Sequence, residues 1–284
     1  RRRMGTLSGF PHPPYDPLPG HLERYQDKVI PLQEIRREDL GNQPESYKGM
    51  RVHNTEVDHD SVVFKLNLTE KERRDQRIHY LANVTMIDDK VGEIMDALEN
   101  KGQLDNTAII FTSDHGDCLT DHGHSQKWTM YDQVTRVPMI ARFPKRFPVG
   151  ERIDSLVQLM DVGPAILELA GAKISDNLEA ESLLPALEGK AFNGREYVFA
   201  EQVRDLNYTE GNFQTMVRSR EWKLVHFLDE PLGQLFNLQD DPDEFENLRK
   251  SHEHKDIRDK MLGVLRDWHI KSQLQTSNLA ETWR

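Results

Sequence analysis

The sequence predicts an α/β core followed by a small antiparallel sheet that is closed by a helix. Three observations predict it. Apolar residues at helical spacing, Leu81, Val84, Ile87, Val91, Ile94 and Leu98, lead into a continuous apolar stretch, Thr107-Ala-Ile-Ile-Phe111. A helix feeding a strand is the repeating step of an α/β sheet. From about residue 195 the pattern changes to short strands separated by turn residues, and the chain ends in an amphipathic stretch.

The bulk properties set limits first. A chain of 284 residues can bury a sizeable core. Its formal net charge of −11 argues against a nucleic-acid scaffold and against anionic membrane surfaces. No apolar run approaches transmembrane length, and no signal peptide is visible, which favours a cytoplasmic location. The single cysteine, Cys118, excludes an internal disulfide framework. Asn67-Leu-Thr and Asn207-Tyr-Thr fit the glycosylation triplet, a pattern common by chance.

In chain order, residues 9–19 are proline-dense and read as an extended segment that continues neither a helix nor a central strand. Residues 20–75 are polar without a clear period. Within them Arg51-Val-His-Asn-Thr-Glu-Val-Asp-His-Asp60 holds two histidines and three acids; it reads as a solvated loop in preference to a metal cluster. A helix is expected from Arg77 to about Asn100-Lys-Gly102, with Asp88 and Asp89 toward solvent or capping a neighbouring loop. The run 107–112 reads as a parallel strand buried on both faces. Val137-Pro-Met-Ile-Ala-Arg-Phe143 is a second strand whose Pro138 marks an edge or a strand start. Asp161-Val-Gly-Pro164 opens a helix that Gly171 closes. Glu196–Ala200, Gln214–Arg218 and Trp222–Phe227 are the later strands. The final helix carries Ile257, Met261, Leu262, Val264, Leu265 and Trp268 on one face.

Chemistry concentrates where the first strand ends, in Phe111-Thr-Ser-Asp-His-Gly-Asp-Cys-Leu-Thr-Asp-His-Gly-His-Ser-Gln-Lys127. Open α/β sheets place their ligands at such carboxyl ends. Asp114 beside His115, with Lys127 downstream, suits a cation and an anion together. Neighbouring side chains of a strand diverge, so these two converge only if the chain has turned, and Gly116 permits that turn. Cys118 reads as a small packing residue. His122 and His124 read as surface histidines or as residues one layer behind the site.

Three blocks in order, Ser113-Asp-His-Gly116, Lys127-Trp-Thr-Met-Tyr-Asp132 and Thr135-Arg-Val-Pro-Met-Ile140, resemble the metal and lysine segment of the sulfatases, in the alkaline phosphatase superfamily. Pro11-His-Pro-Pro-Tyr15 looks like the family's Pro-His-x-Pro-Phe/Tyr segment, and Gln234–Leu248 like its closing segment. The resemblance implies an alkaline-phosphatase-like α/β sandwich core, here residues 1–190, followed by a small C-terminal subdomain, residues 191–284. It implies metal ligation by Asp114 and His115, and substrate contacts from Lys127 and His12. Prolines around His12 hold its ring cheaply in place. Arg218 and Lys223 are further candidates for touching substrate.

The implied activity is metal-dependent hydrolysis of a sulfate monoester, on a small molecule or a sugar. A phosphodiester or phosphonate monoester hydrolase of the same superfamily is one alternative, and a silent fragment with a structural or binding role is another. The imidazole alone would favour manganese, iron or zinc; the resemblance points to calcium, with manganese as the alternative. The family's Cys/Ser-x-Pro-x-Arg nucleophile motif and early acidic pair are absent from these residues. The sequence opens Arg1-Arg-Arg-Met4, so the expectation is a missing N-terminal half that supplies them, without which the chain does not turn over sulfate esters.

Overall fold

The computed structural model describes residues 12–57, 65–175, 177–205, 208 and 211–281. After the proline segment come a short helix α1 (Pro19–Glu23) and an extended stretch, then α2 (Arg37–Asn42) and α3 (Glu45–Val57). The long helix α4 (Glu70–Asn100) begins earlier than the apolar period implies. Thr69 and Glu72 form a reciprocal capping box: the Glu72 amide donates to Thr69 Oγ1 at 3.3 Å and the Thr69 amide to Glu72 Oε2 at 2.7 Å. Tyr25 bonds Thr85 at 2.6 Å and His21 pairs with Asp89 at 2.9 Å, so α1 lies along the middle of α4.

The buried face of α4 is not the predicted one. Arg73, Ile78, Ala82 and Asn83 are buried, whereas Val84 and Ile94 are exposed. Periodicity identifies an apolar stripe but not what covers it. Here the first half of the helix packs beneath the loop that follows the first strand, and hydrogen-bonded arginine takes a buried position there.

Strand β1 (Ile109–Thr112) is the second correction. It pairs antiparallel, not parallel, with β2 (Met139–Arg142), which starts directly after Pro138 as expected. The intervening loop and the single turn α5 (Asp132–Thr135) bring the chain straight back alongside. One face carries Met139 and Ala141 against a cluster of Phe147, Ala165, Leu183 and Leu184. The other presents Phe111 and its cross-strand partner Ile140, 38% and 64% exposed. The cluster is supplied by α6 (Val162–Leu169), which ends near Gly171 at φ +69°, and α7 (Leu184–Leu187). Buried Asp161 receives Arg195 Nε at 2.9 Å, tethering that layer to the next sheet.

The second sheet is an antiparallel meander of β3 (Val198–Val203), β4 (Phe213–Arg218), β5 (Trp222–Phe227) and β6 (Gln234–Asn237). Alternation splits its residues cleanly. Val217, Leu224 and Leu235 face α8 (Lys255–Glu281) and meet Met261 and Leu265. Met216, Val225, Phe227 and Phe236 face the opposite way, onto Tyr47 of α3 and the segment Trp128–Tyr131. All six apolar residues predicted for the last helix belong to this packing. No helix among the described residues is long and apolar enough to cross a membrane.

Candidate active site

The site starts where β1 stops. The Asp114 side chain is 83% exposed, and its Oδ1 accepts the His115 amide at 2.9 Å. That bond leaves Oδ2 facing His115 Nε2, 3.6 Å away. His115 Nδ1 lies 2.8 Å from the Gly116 carbonyl, so this nitrogen carries the proton and Nε2 presents its lone pair. A ring oriented by a backbone carbonyl, with its other nitrogen beside a carboxylate oxygen, is the arrangement of a metal-ligating histidine. These two donors therefore fit adjacent positions around one divalent ion. Among the described residues no cluster of three such ligands occurs. Partial burial works against the Asp114 charge, but the His115 amide and the charge of Lys127 hold the carboxyl below its usual range.

Gly116 serves close approach, not a special backbone angle. Its amide donates to Val134 O at 2.8 Å, and a Cβ there would lie 1.9 Å from Gln133 O. Any other residue would push α5 away from the metal pair.

Asp117 is the hub of the loop, and sequence reasoning missed it. Its Oδ1 accepts the amides of Leu119 at 2.8 Å and Gln126 at 2.9 Å, and its Oδ2 accepts the Tyr15 hydroxyl. One carboxylate thus ties three pieces of chain: the one with Asp114 and His115, the one with Lys127, and the proline segment with His12. Burial pushes the Asp117 carboxyl up, against the hydrogen bonds it accepts, and burial beside Asp117 pushes the Tyr15 phenol well above its ordinary range. Tyr15 also packs edge-on against Tyr80 of α4 at 5.5 Å.

The loop is strained and held from outside. Leu119, Thr120, His122, Gln126 and Trp128 all have positive φ, between 46° and 77°. Each such non-glycine residue costs on the order of 1 kcal/mol or more and persists only where its surroundings over-determine it. Arg73 donates to Thr120 Oγ1 at 2.9 Å, Arg77 to Leu119 O at 3.3 Å and to Asp121, and Arg51 to Gly123 O at 2.9 Å. A helix expected only from Arg77 leaves Arg73 off it. The Thr69-Glu-Lys-Glu72 capping signal would have placed Arg73 on it.

Lys127 stands between left-handed Gln126 and Trp128. Among the described residues it forms no ion pair or hydrogen bond, and its ammonium lies 5.8 Å from the Trp128 ring centroid. The residues after it are fixed: Gln214 Nε2 donates to Trp128 O at 2.6 Å, and the Met130 amide donates to Tyr47 Oη at 2.8 Å. His12 is exposed, with Nδ1 2.7 Å from Pro13 O; it hydrogen-bonds to none of the other three residues and joins them only through Tyr15.

Other candidates lie elsewhere. Cys118 is fully buried, 3.3 Å from Thr129 Oγ1, and burial pushes its thiol far up, which suits packing and not nucleophilic attack. His122 and His124 are core residues, not surface ones. His122 stacks on Tyr131 at 3.8 Å and bonds Asp39 at 2.9 Å, and His124 bonds Gln43 at 3.0 Å. Lys223 is fully buried between Asp132 and Glu244, 2.6 Å from each, and Arg218 pairs with Asp132 at 2.9 Å. Both bind protein: cross-strand partners on β4 and β5, they reach the 130–132 segment that covers this face of the sheet. Of the 51–60 stretch, residues 51–57 form the end of α3 and 58–60 lie outside the described residues.

Comparison with known proteins follows this geometry. The family model described as sulfatase matches residues 11–172, and that described as N-sulphoglucosamine sulphohydrolase, C-terminal, matches residues 120–271. An arylsulfatase of Clostridium perfringens is 27% identical over 258 residues, 90% of this chain and 50% of the relative. An N-acetylglucosamine-6-O-sulfatase of Bacteroides thetaiotaomicron is 29% identical over 194 residues, 66% of this chain and 34% of the relative. The chain thus spans between a third and a half of the length of these relatives. Among solved structures, a phosphonate monoester hydrolase from Silicibacter pomeroyi superposes with a TM-score of 0.81 at 25% identity, covering 92% of this chain and 54% of that one. With more than half of its length accounted for by the sulfatase model, the chain belongs to the sulfatase family, within the alkaline phosphatase superfamily, whose members generally depend on a divalent metal.

Proposed function

We propose that this chain carries the metal and anion half of a site that hydrolyses sulfate monoesters. The observation that carries the reading is the pairing of Asp114 Oδ2 with a lone-pair-bearing His115 Nε2 at 3.6 Å, in the field of a Lys127 that has no ion pair among the described residues. Asp114 and His115 would hold a divalent ion, calcium by family resemblance and manganese as the alternative that the imidazole favours. Such an ion supplies positive charge that screens the ester's oxygens. Lys127 holds those oxygens by charge and hydrogen bonding. His12 donates a proton to the departing alkoxide, and a ring on a rigid proline segment can do so with little reorganisation. Tyr15 and Asp117 set the position of both. In the domain division, residues 1–190 carry these groups and residues 191–284 buttress them through the Trp128–Tyr131 core.

The similarity to an N-acetylglucosamine-6-O-sulfatase supports a sulfated sugar as substrate. A phosphonate monoester is the second reading, favoured by the fit to the Silicibacter pomeroyi enzyme. The test is hydrolysis of 4-nitrophenyl sulfate against the 4-nitrophenyl ester of phenylphosphonate, by wild type and Lys127→Ala, each with the nucleophile-bearing half of the site supplied in trans. The proposal expects faster sulfate cleavage and a loss of about 100-fold or more in Lys127→Ala, as for removal of one stabilising donor. Faster phosphonate cleavage would establish the second reading, and no turnover by the wild type would mark the chain as a binding piece.

A further inference from the structure

Outside the site, the described residues form an open cleft of about 740 Å³ between the extended 30–37 stretch, α3, residues 66–68 and the first turns of α4. Four arginines line it, Arg37, Arg51, Arg73 and Arg74, against two glutamates, Glu34 and Glu70. Glu34 is engaged by Arg36 at 3.3 Å. The cleft is thus locally cationic in a chain of formal net charge −11. Gathering guanidiniums works against folding unless an anion compensates them.

How those arginines are satisfied shows what is missing. Arg51 donates to Gly123 O at 2.9 Å and Leu66 O at 3.3 Å; Arg73 donates to Thr120 Oγ1 at 2.9 Å and Gln33 O at 2.6 Å. These acceptors are neutral. Arg37 and Arg74 have no hydrogen bond or ion pair among the described residues, and Arg74 Nε is shut off from solvent without a partner. A buried guanidinium nitrogen left unpaired is costly, and the planar fork of arginine matches carboxylate and sulfate oxygens. Burial pushes the Arg51 and Arg73 guanidiniums down from their usual range, which a bound anion would reverse.

We infer that this cleft binds anionic groups, sulfates or uronate carboxylates, of a sulfated saccharide, at a place separate from Asp114, His115 and Lys127. The choice of saccharide rests on the sulfatase reading. Thr120 and Gly123, which the cleft arginines hold, belong to the same loop that Asp117 closes onto Gln126. Two of the cleft arginines thus link it to the loop whose far end presents Lys127.

The test is a fluorescence anisotropy titration with a labelled tetrasaccharide of alternating glucuronate and N,6-O-disulfated glucosamine, in the presence of a chelator. No turnover enters the measurement, so its outcome is independent of whether the sulfatase reading survives the aryl sulfate assay. Wild type is expected to bind the tetrasaccharide, and its unsulfated counterpart at least tenfold more weakly. The double variant Arg37→Gln/Arg74→Gln is expected to lose tenfold or more in affinity with an unchanged melting temperature. Arg37→Lys/Arg74→Lys, which keeps the charge but not the planar fork, is expected to recover only part of that loss. Wild-type affinity in the glutamine double variant, equal binding of the unsulfated sugar, or no binding by the wild type would each overturn the proposal.

Discussion

Lys223 and Lys127 carry the same charge in opposite surroundings. Lys223 is sealed in the interior, 2.6 Å from Asp132 and from Glu244, and also donates to Met130 O at 2.9 Å. Lys127 has no such partner among the described residues, although the loop behind it is clamped at Asp117 and the residues after it are fixed in the core. The protein uses one lysine to join two layers and spends strained backbone to hold the other one ready. A charge whose partners are all protein groups supports architecture; a charge held in place without a partner is available to a ligand. Exposure alone would not separate them, since many surface lysines are idle. The order of the backbone around Lys127 does.

The comparison predicts different penalties. Lys223→Ala should be the most destabilising change, by about 3–5 kcal/mol, because it leaves Glu244 buried without its cation and Asp132 with Arg218 alone. Chemical denaturation measures it, and a loss below about 1 kcal/mol would mean that the cluster is not what joins the layers. Asp117→Ala comes next. It orphans two amides and a tyrosine hydroxyl, at about 1–3 kcal/mol for each buried group left unpaired, and a net loss of about 3 kcal/mol is expected. Asp117→Asn keeps an acceptor for the two amides and should lose less than half as much. Equal losses for both variants would show that the charge, not the clamp, matters.

His124 gives a pH-dependent effect of intermediate size. Burial, with Arg51 and His122 adding repulsion, holds its ring well below the ordinary imidazole range. The unfolded chain therefore binds a proton near pH 6.5 that the folded one refuses. Stability is complete above that pH and falls as the pH drops below it, at about 1.4 kcal/mol per unit for this one group. His124→Gln, which keeps a side-chain donor for Gln43, should flatten that fall between pH 6 and pH 5. An identical pH profile in the two proteins would place the proton elsewhere. Lys127→Ala is expected to have the smallest effect on stability, within about 0.5 kcal/mol.

Much of this was legible in the sequence, and the failures have physical causes. The strand positions followed from apolar runs between turn residues, and the last helix from its period, because one face of that helix is covered and the other is not. The continuous run at 107–112 misled, since apolar residues on both sides of a strand say nothing about pairing direction, and Phe111 and Ile140 stand exposed. Motif order exposed Asp114, His115 and Lys127, whose chemistry lies in the residues themselves. Asp117 and Tyr15 sat inside the same motifs without notice. Their role lies in a contact across 102 positions of sequence that no local pattern encodes. His122 and His124 failed for a related reason: their partners Asp39 and Gln43 come from a segment that has no period of its own.

The most direct test of the account is calorimetric titration of calcium and manganese into the protein and into its Asp114→Asn variant. The account predicts one ion bound per wild-type chain, a loss of affinity of about 100-fold or more in the variant, and an unchanged melting temperature for the metal-free proteins. Equal affinity and stoichiometry in the two proteins would contradict it.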